Sequence, residues 1–166
     1  MTELEVAARS ANAIKARIKK AGFPVLKDLD TYDFSLLPSL HKPKVLELAR
    51  GEWIDQHYNC CLIGNAGTGK THLAIALGLA ACRQGQRVRF FTAAALVTLL
   101  EEARKEYRLD RLLTQLDKTD LLIVDELGYL SFSRAGAELL FQVFAERYER
   151  ASLLTVSYTH LTLPTN

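Results

Sequence analysis

Eight consecutive residues, Gly64-Asn65-Ala66-Gly67-Thr68-Gly69-Lys70-Thr71, carry the strongest chemical signal in the chain. Glycines let successive backbone N–H groups turn inward around an anion, and the helix that follows presents its positive end to the same point. A Lys-Thr pair at the helix start adds a cation and a hydroxyl. This is the pattern of a P-loop, in which Lys70 reaches the β- and γ-phosphates of a nucleoside triphosphate and the Thr71 hydroxyl takes one position around Mg²⁺. The bland alternative is a glycine-rich turn followed by an accidental Lys-Thr. Context argues against it, because apolar Cys60 to Ile63 reads as a strand and Lys70 to Gln84 as a helix capped by Gly85. For His72, a helix-surface or packing role fits better than a phosphate contact.

A second candidate site is Leu121-Leu122-Ile123-Val124-Asp125-Glu126, an apolar strand that ends in two acids. This has the form of a Walker B segment. Asp125 would hold Mg²⁺ through its water shell, since that ion keeps several waters and takes few protein ligands. Glu126 would orient and deprotonate the attacking water, so Glu126 and Lys70 are the expected catalytic pair. Two acids after a strand also occur at helix starts, where they merely complement the dipole. It is the P-loop upstream, in the same strand–helix rhythm, that favours the catalytic reading.

These residues need a frame, and the hydropathy pattern supplies one. Apolar runs at 60–63, 88–91, 121–124 and 153–156 predict short buried strands, separated by helical segments near 70–84, 93–117 and 134–149. Strands alternating with helices imply an α/β fold with a parallel sheet covered on both faces. Ahead of this core, Leu4, Ala8, Ala11, Ile14 and Ile18 recur at helical spacing and predict an amphipathic helix ending near Ala21, before Gly22 and Pro24. Its polar side is basic, with Arg9, Lys15, Arg17, Lys19 and Lys20. Residues 23 to 43 hold three of the four prolines and suggest an irregular connector, followed by a short helix around 44–55. Leu96, Leu99, Leu100, Ala103 and Tyr107 read as a core-facing stripe, with Arg104, Lys105, Arg108 and Arg111 beside it.

Composition sets wider bounds. A chain of 166 residues that is 49% hydrophobic can bury one substantial core, and a net charge of +2 makes the distribution of charge more telling than its sum. Cys60, Cys61 and Cys82 are too few and too irregular for a disulfide framework, and no Cys/His spacing resembles a zinc site, so buried free thiols are expected. The N-terminus lacks the basic end and apolar run of a secretory signal, and no stretch has the apolar length of a membrane span. A cytoplasmic protein without membrane contact is the expectation.

Taken together, Gly69-Lys70-Thr71-His72-Leu73-Ala74, Val88-Arg89-Phe90-Phe91-Thr92-Ala93-Ala94, Asp125-Glu126-Leu127-Gly128-Tyr129-Leu130, Gly136-Ala137-Glu138-Leu139-Leu140-Phe141 and Glu146-Arg147-Tyr148-Glu149-Arg150 closely resemble the IstB-like family. Its members are AAA+ ATPases that assist insertion-sequence transposases and are related to DnaC-type helicase loaders. The resemblance runs from about Ala16 to Thr155. The P-loop is shared by many folds, whereas Asp-Glu-Leu-Gly-Tyr followed by the Glu-Leu-Leu-Phe helix is far more specific.

The resemblance implies ATP as the nucleotide, self-assembly of several copies on duplex DNA, and delivery or activation of a transposase. It gives the cations of the N-terminal helix a meaning as DNA-binding residues, with a solvated helix face as the equal alternative. It also implies an AAA+ core in which the strand at 153–156 lies between the P-loop strand and the Walker B strand. The chain then divides into a basic helix (1–22), a connector with a short helix (23–57), the ATPase core (58–155) and an atypical tail (156–166). Tyr158 stands where the family has a polar sensor residue, and nothing after it resembles the family. A truncated core, incomplete on its C-terminal side and lacking an arginine finger, is therefore expected, and Arg147 and Arg150 are poor substitutes for that finger. Three other readings stay open: a DnaC-like helicase loader, a nucleotide-binding module with little hydrolysis, and a P-loop small-molecule kinase.

Overall fold

The computed structural model describes residues 2–36, 40–128 and 131–157. Pro38, Tyr129, Leu130 and the tail from Tyr158, including the expected sensor position, lie outside the described residues.

The chain begins with helix α1 (Glu3–Ala21), capped by the Thr2 hydroxyl, which accepts from the Glu5 N–H at 3.3 Å, and stopped by Gly22 at φ 76°. Two 3₁₀ turns, Leu29–Thr31 and Phe34–Leu36, shape the connector. The helix expected around 44–55 is two helices, α2 (Lys42–Ala49) and α3 (Glu52–Asp55). Gly51 at φ 77° separates them, a left-handed conformation that ends one helix and starts the next.

The core then runs β1 (Cys60–Ile63), α4 (Lys70–Arg83), β2 (Val88–Thr92), α5 (Ala93–Lys105), α6 (Leu109–Asp117), β3 (Leu121–Leu127), α7 (Arg134–Arg147) and β4 (Ser152–Ser157). The strands form a parallel sheet in the order β1-β4-β3-β2. β4 thus lies between β1, which leads into the P-loop, and β3, which carries Asp125, as the family resemblance implies. Leu121, Leu122, Ile123 and Val124 are fully buried because helices cover both sides of β3. On one side Ile123 and Leu154 meet Ile75, Leu79 and Cys82 of α4 and Ala21 of α1. On the other, Leu122 and Val124 meet Leu96 and Leu100 of α5, Leu116 of α6 and Leu140 and Val143 of α7.

Three expectations need correction. Tyr107, expected to face the core, is 98% exposed at φ 57° in the break between α5 and α6. The apolar stripe of α1 reaches the core only at its C-terminal end: Ala21 is buried and Ile14 and Ile18 are half-buried, but among the described residues Leu4 is 84% exposed. Of the three thiols only Cys82 is buried. Cys60 is half-buried and Cys61 exposed, since strand alternation points Cys61 away from the core. Among the described residues, no helix is long and apolar enough to cross a membrane.

Candidate nucleotide-binding site

The loop between β1 and α4 takes its shape from Gly67 at φ 77° and Gly69 at φ 82°, left-handed positions that glycine adopts without a steric penalty. A Cβ at Gly67 would meet nothing within 4 Å, so this part of the loop is open. A Cβ at Gly69 would lie 3.2 Å from Cε2 of Tyr32. The Thr68 hydroxyl donates to the Asn65 carbonyl at 2.7 Å and ties the loop to itself. The Lys70 ammonium donates to the carbonyls of Gly64 and Asn65 at 2.5 and 2.6 Å. Burial pushes the Lys70 pKa down, opposed by the nearby Asp125 carboxylate.

The two candidate motifs meet. The Thr71 hydroxyl donates to the Asp125 carboxylate, at 3.0 Å from Oδ2 and 3.2 Å from Oδ1, across a sequence separation of 54 residues. Asp125 is 4% exposed and accepts a further bond from the Glu126 N–H at 2.8 Å. Glu126 itself is exposed and sits at φ 57°. The pairing explains that conformation: Val124 lies opposite Thr155 and Leu127 opposite Ser157, so three steps along β3 match two along β4. The extra residue is a β-bulge, which turns Asp125 inward and leaves Glu126 facing outward. Beside the pair a cleft of about 400 Å³ is lined by Thr71, Thr92, Asp125 and Glu126 together with Gly22 and Pro24.

A hydroxyl and a carboxylate, both hard oxygen donors at one point, suit Mg²⁺. Among the described residues no group of three or more His, Cys, Asp or Glu could hold a metal unaided.

Tyr32 was not legible in the sequence as part of this region. It is 6% exposed, lies against Gly69, and packs edge-on to Phe34 and His72 with ring centroids 5.0 and 5.1 Å away. Its hydroxyl makes no hydrogen bond among the described residues. Burial, then the charge of Asp33, raises its pKa. The only advance signal was a run of aromatics in the connector. His72 packs against Tyr32, with Nε2 3.1 Å from the Asp28 carbonyl oxygen.

The basic residues of α1 do not form one face. Arg17 and Lys20 turn toward β2 and α6, and the Arg17 Nε–H donates to the Cys82 carbonyl at 2.9 Å, holding the end of α4. Arg9, Lys15 and Lys19 are exposed, as are Arg104, Lys105, Arg108 and Arg111. Arg147 is 3% exposed and donates to the carbonyls of Leu116, Thr119 and Ser152, so it is a structural clamp.

The sequence profile of the IstB-like ATP-binding proteins matches residues 1–163. The chain belongs to that family. Its relatives include a Pseudomonas aeruginosa protein named for insertion sequence IS21 and for ATP binding, 40% identical over 149 residues, which are 90% of this chain and 56% of that protein. A Geobacillus stearothermophilus protein named for insertion sequence IS5376 is 38% identical, over 95% of this chain and 62% of its own length. The IstB-like chain thus spans little more than half the length of these relatives. Among solved structures, the DnaC helicase loader superposes with a TM-score of 0.68 at 23% identity, covering 82% of this chain and 79% of that one. AMPPCP-bound DnaA from Aquifex aeolicus gives 0.60 at 26% identity, over 70% of this chain and 38% of that one. The fold of the IstB-like chain is that of the AAA+ P-loop domains.

Proposed function

We propose that this IstB-like chain binds and hydrolyses ATP with Mg²⁺ and uses the nucleotide to act on duplex DNA in transposition, recruiting or activating a transposase. The observation that carries the reading is the Thr71–Asp125 hydrogen bond, which joins the P-loop to the strand ending in Asp125-Glu126.

In this reading the backbone N–H groups of Gly64 to Thr71 cradle the phosphates, and the Lys70 ammonium turns from the loop carbonyls to the β- and γ-phosphate oxygens. Thr71 and Asp125 would hold the metal. Mg²⁺, when bound, offsets the charge that builds up on the phosphates. The bulge presents Glu126 on the outer side of Asp125, where its carboxylate orients the attacking water and takes its proton.

Transposition is favoured over helicase loading because the relatives at 38–40% identity are named for insertion sequences. The likeness to the helicase loader, at 23% identity, is one of fold. ATP turnover with and without duplex DNA tests the proposal. Turnover that duplex DNA stimulates supports it. Phosphate transfer to a metabolite would point to a kinase, and nucleotide binding without turnover to a binding module.

A further inference from the structure

At the end of β2 away from Asp125, a cavity of about 380 Å³ is walled by five cations: Arg17 and Lys20 of α1, Arg87 and Arg89 at the start of β2, and Lys118 after α6. Val88, Gln115 and Thr119 complete the wall. Among the described residues, the carboxylate in direct contact with these cations is Asp120, whose Oδ2 lies 3.3 Å from the Arg87 Nε and accepts from its backbone N–H at 2.7 Å. That leaves an excess of positive charge on the cavity wall. The guanidinium of Arg89 stacks 5.0 Å from the Phe91 ring, and burial pushes its pKa down, so this cation is held in place and partly stripped of water.

The charge continues outside the cavity. On a helix with 3.6 residues per turn, Arg9, Arg17 and Lys20 share one side of α1, whereas Lys15 and Lys19 fall on another. Arg9 and Lys20 are separated along the axis by about 16 Å, which is about five nucleotide steps of one DNA strand. An isolated phosphate needs only the cavity. A track of this length fits a repeating polyanion.

We propose that this cavity is a phosphate-binding subsite for the backbone of duplex DNA, with Arg9 extending the contact along α1. The inference rests on the DNA-binding reading above and names a set of residues for it. Arg87, Arg89 and Lys118 join Arg17 and Lys20, while Lys15 and Lys19 drop out. The subsite and the Thr71–Asp125 pair lie at opposite ends of β2, about 13 Å apart along the strand, so DNA and nucleotide bind together without competing.

Lys20 and Lys118 are both exposed, which makes the double variant Lys20→Gln/Lys118→Gln a mild one for folding. Its affinity for a short duplex is measured by fluorescence anisotropy across a salt series, with ATP affinity as the folding control. The subsite predicts about tenfold weaker DNA binding near 0.1 M salt and a salt dependence shallower by about 1.8 in slope. It also predicts little change for Lys15→Gln/Lys19→Gln. A Lys20/Lys118 variant that binds DNA like the unmodified chain overturns the subsite. So does a variant that loses binding of inorganic pyrophosphate alone, which would mark a free-anion site. Absence of DNA binding by the unmodified chain at low salt would instead remove the DNA-binding reading itself.

Discussion

The Thr71 hydroxyl lies 3.0 Å from Oδ2 of Asp125 and donates to it, linking the first turn of α4 to the C-terminal end of β3. A carboxylate only 4% exposed needs such partners, since an unpaired buried charge costs several kcal/mol. Thr71→Ser keeps the hydroxyl and is expected to keep nucleotide affinity. Thr71→Ala removes one charge-assisted bond, about 1.5–3 kcal/mol. Mg²⁺-dependent ATP affinity should then fall at least tenfold, read by calorimetry on the two variants side by side.

Glu126 carries two separable properties, its carboxylate and its left-handed backbone at φ 57°. A non-glycine residue held there stores about 1–3 kcal/mol. Glu126→Gln should leave ATP binding intact and abolish turnover. Glu126→Gly should also abolish turnover while raising unfolding stability by about 1 kcal/mol. Undiminished hydrolysis in the Gln variant would remove Glu126 from the mechanism.

Arg147 joins α7 to the loop after α6 and to β4 through three carbonyls. Burial lowers its pKa to about 10, with Asp117 and Asp120 opposing the shift. Arg147→Met removes three hydrogen bonds to carbonyls, of which that of Leu116 keeps the Thr119 N–H as a donor, and should cost about 3 kcal/mol in chemical denaturation. Lysine, with a single ammonium in place of a planar fork, should recover only part of that. The folded fraction of either variant should bind ATP normally, because the clamp lies at the other end of the sheet from Thr71.

The thiols should differ in reactivity. Burial pushes both Cys60 and Cys82 up to about 11, Cys61 adding to the shift at Cys60 and Lys44 opposing it, while Arg17 and Arg83 oppose it at Cys82. Iodoacetamide at neutral pH should label exposed Cys61 first, as peptide mapping would show. Between about pH 9 and 11 the unfolded chain releases thiol protons that the folded chain keeps, so the folded state binds more protons and stability falls as pH rises through that window.

The site was legible in the sequence where chemistry is written in consecutive residues. Gly64 to Thr71 and Leu121 to Glu126 announce themselves because loop, strand and acid are contiguous. What the sequence could not show depends on contacts between distant segments. Tyr32 reaches Gly69 only because the connector folds back over α4. The bulge at Asp125–Glu126 exists only relative to β4. Buried β3 was recognisable from its unbroken apolar run, but the similar run of β1, expected to be buried, exposes Cys61 and Ile63, and Tyr107 continued a helical pattern that the backbone abandons just before it. The α1 stripe failed for a different reason: periodicity reports a face that can be buried, and only Ala21 finds a partner that buries it fully. For Arg147, nothing local in the sequence reveals the three carbonyls that converge on it.

In the proposed function, Gly64 to Thr71 and Asp125 form one magnesium-dependent ATP site. The most direct test is calorimetric titration of ATP, with and without Mg²⁺, into the unmodified chain, Lys70→Ala and Asp125→Asn. Mg²⁺ should strengthen ATP binding by the unmodified chain. Removing the Lys70 ammonium should weaken binding at least tenfold, and Asp125→Asn should lose the Mg²⁺ effect. Equal affinity in all three proteins, indifferent to Mg²⁺, would contradict it.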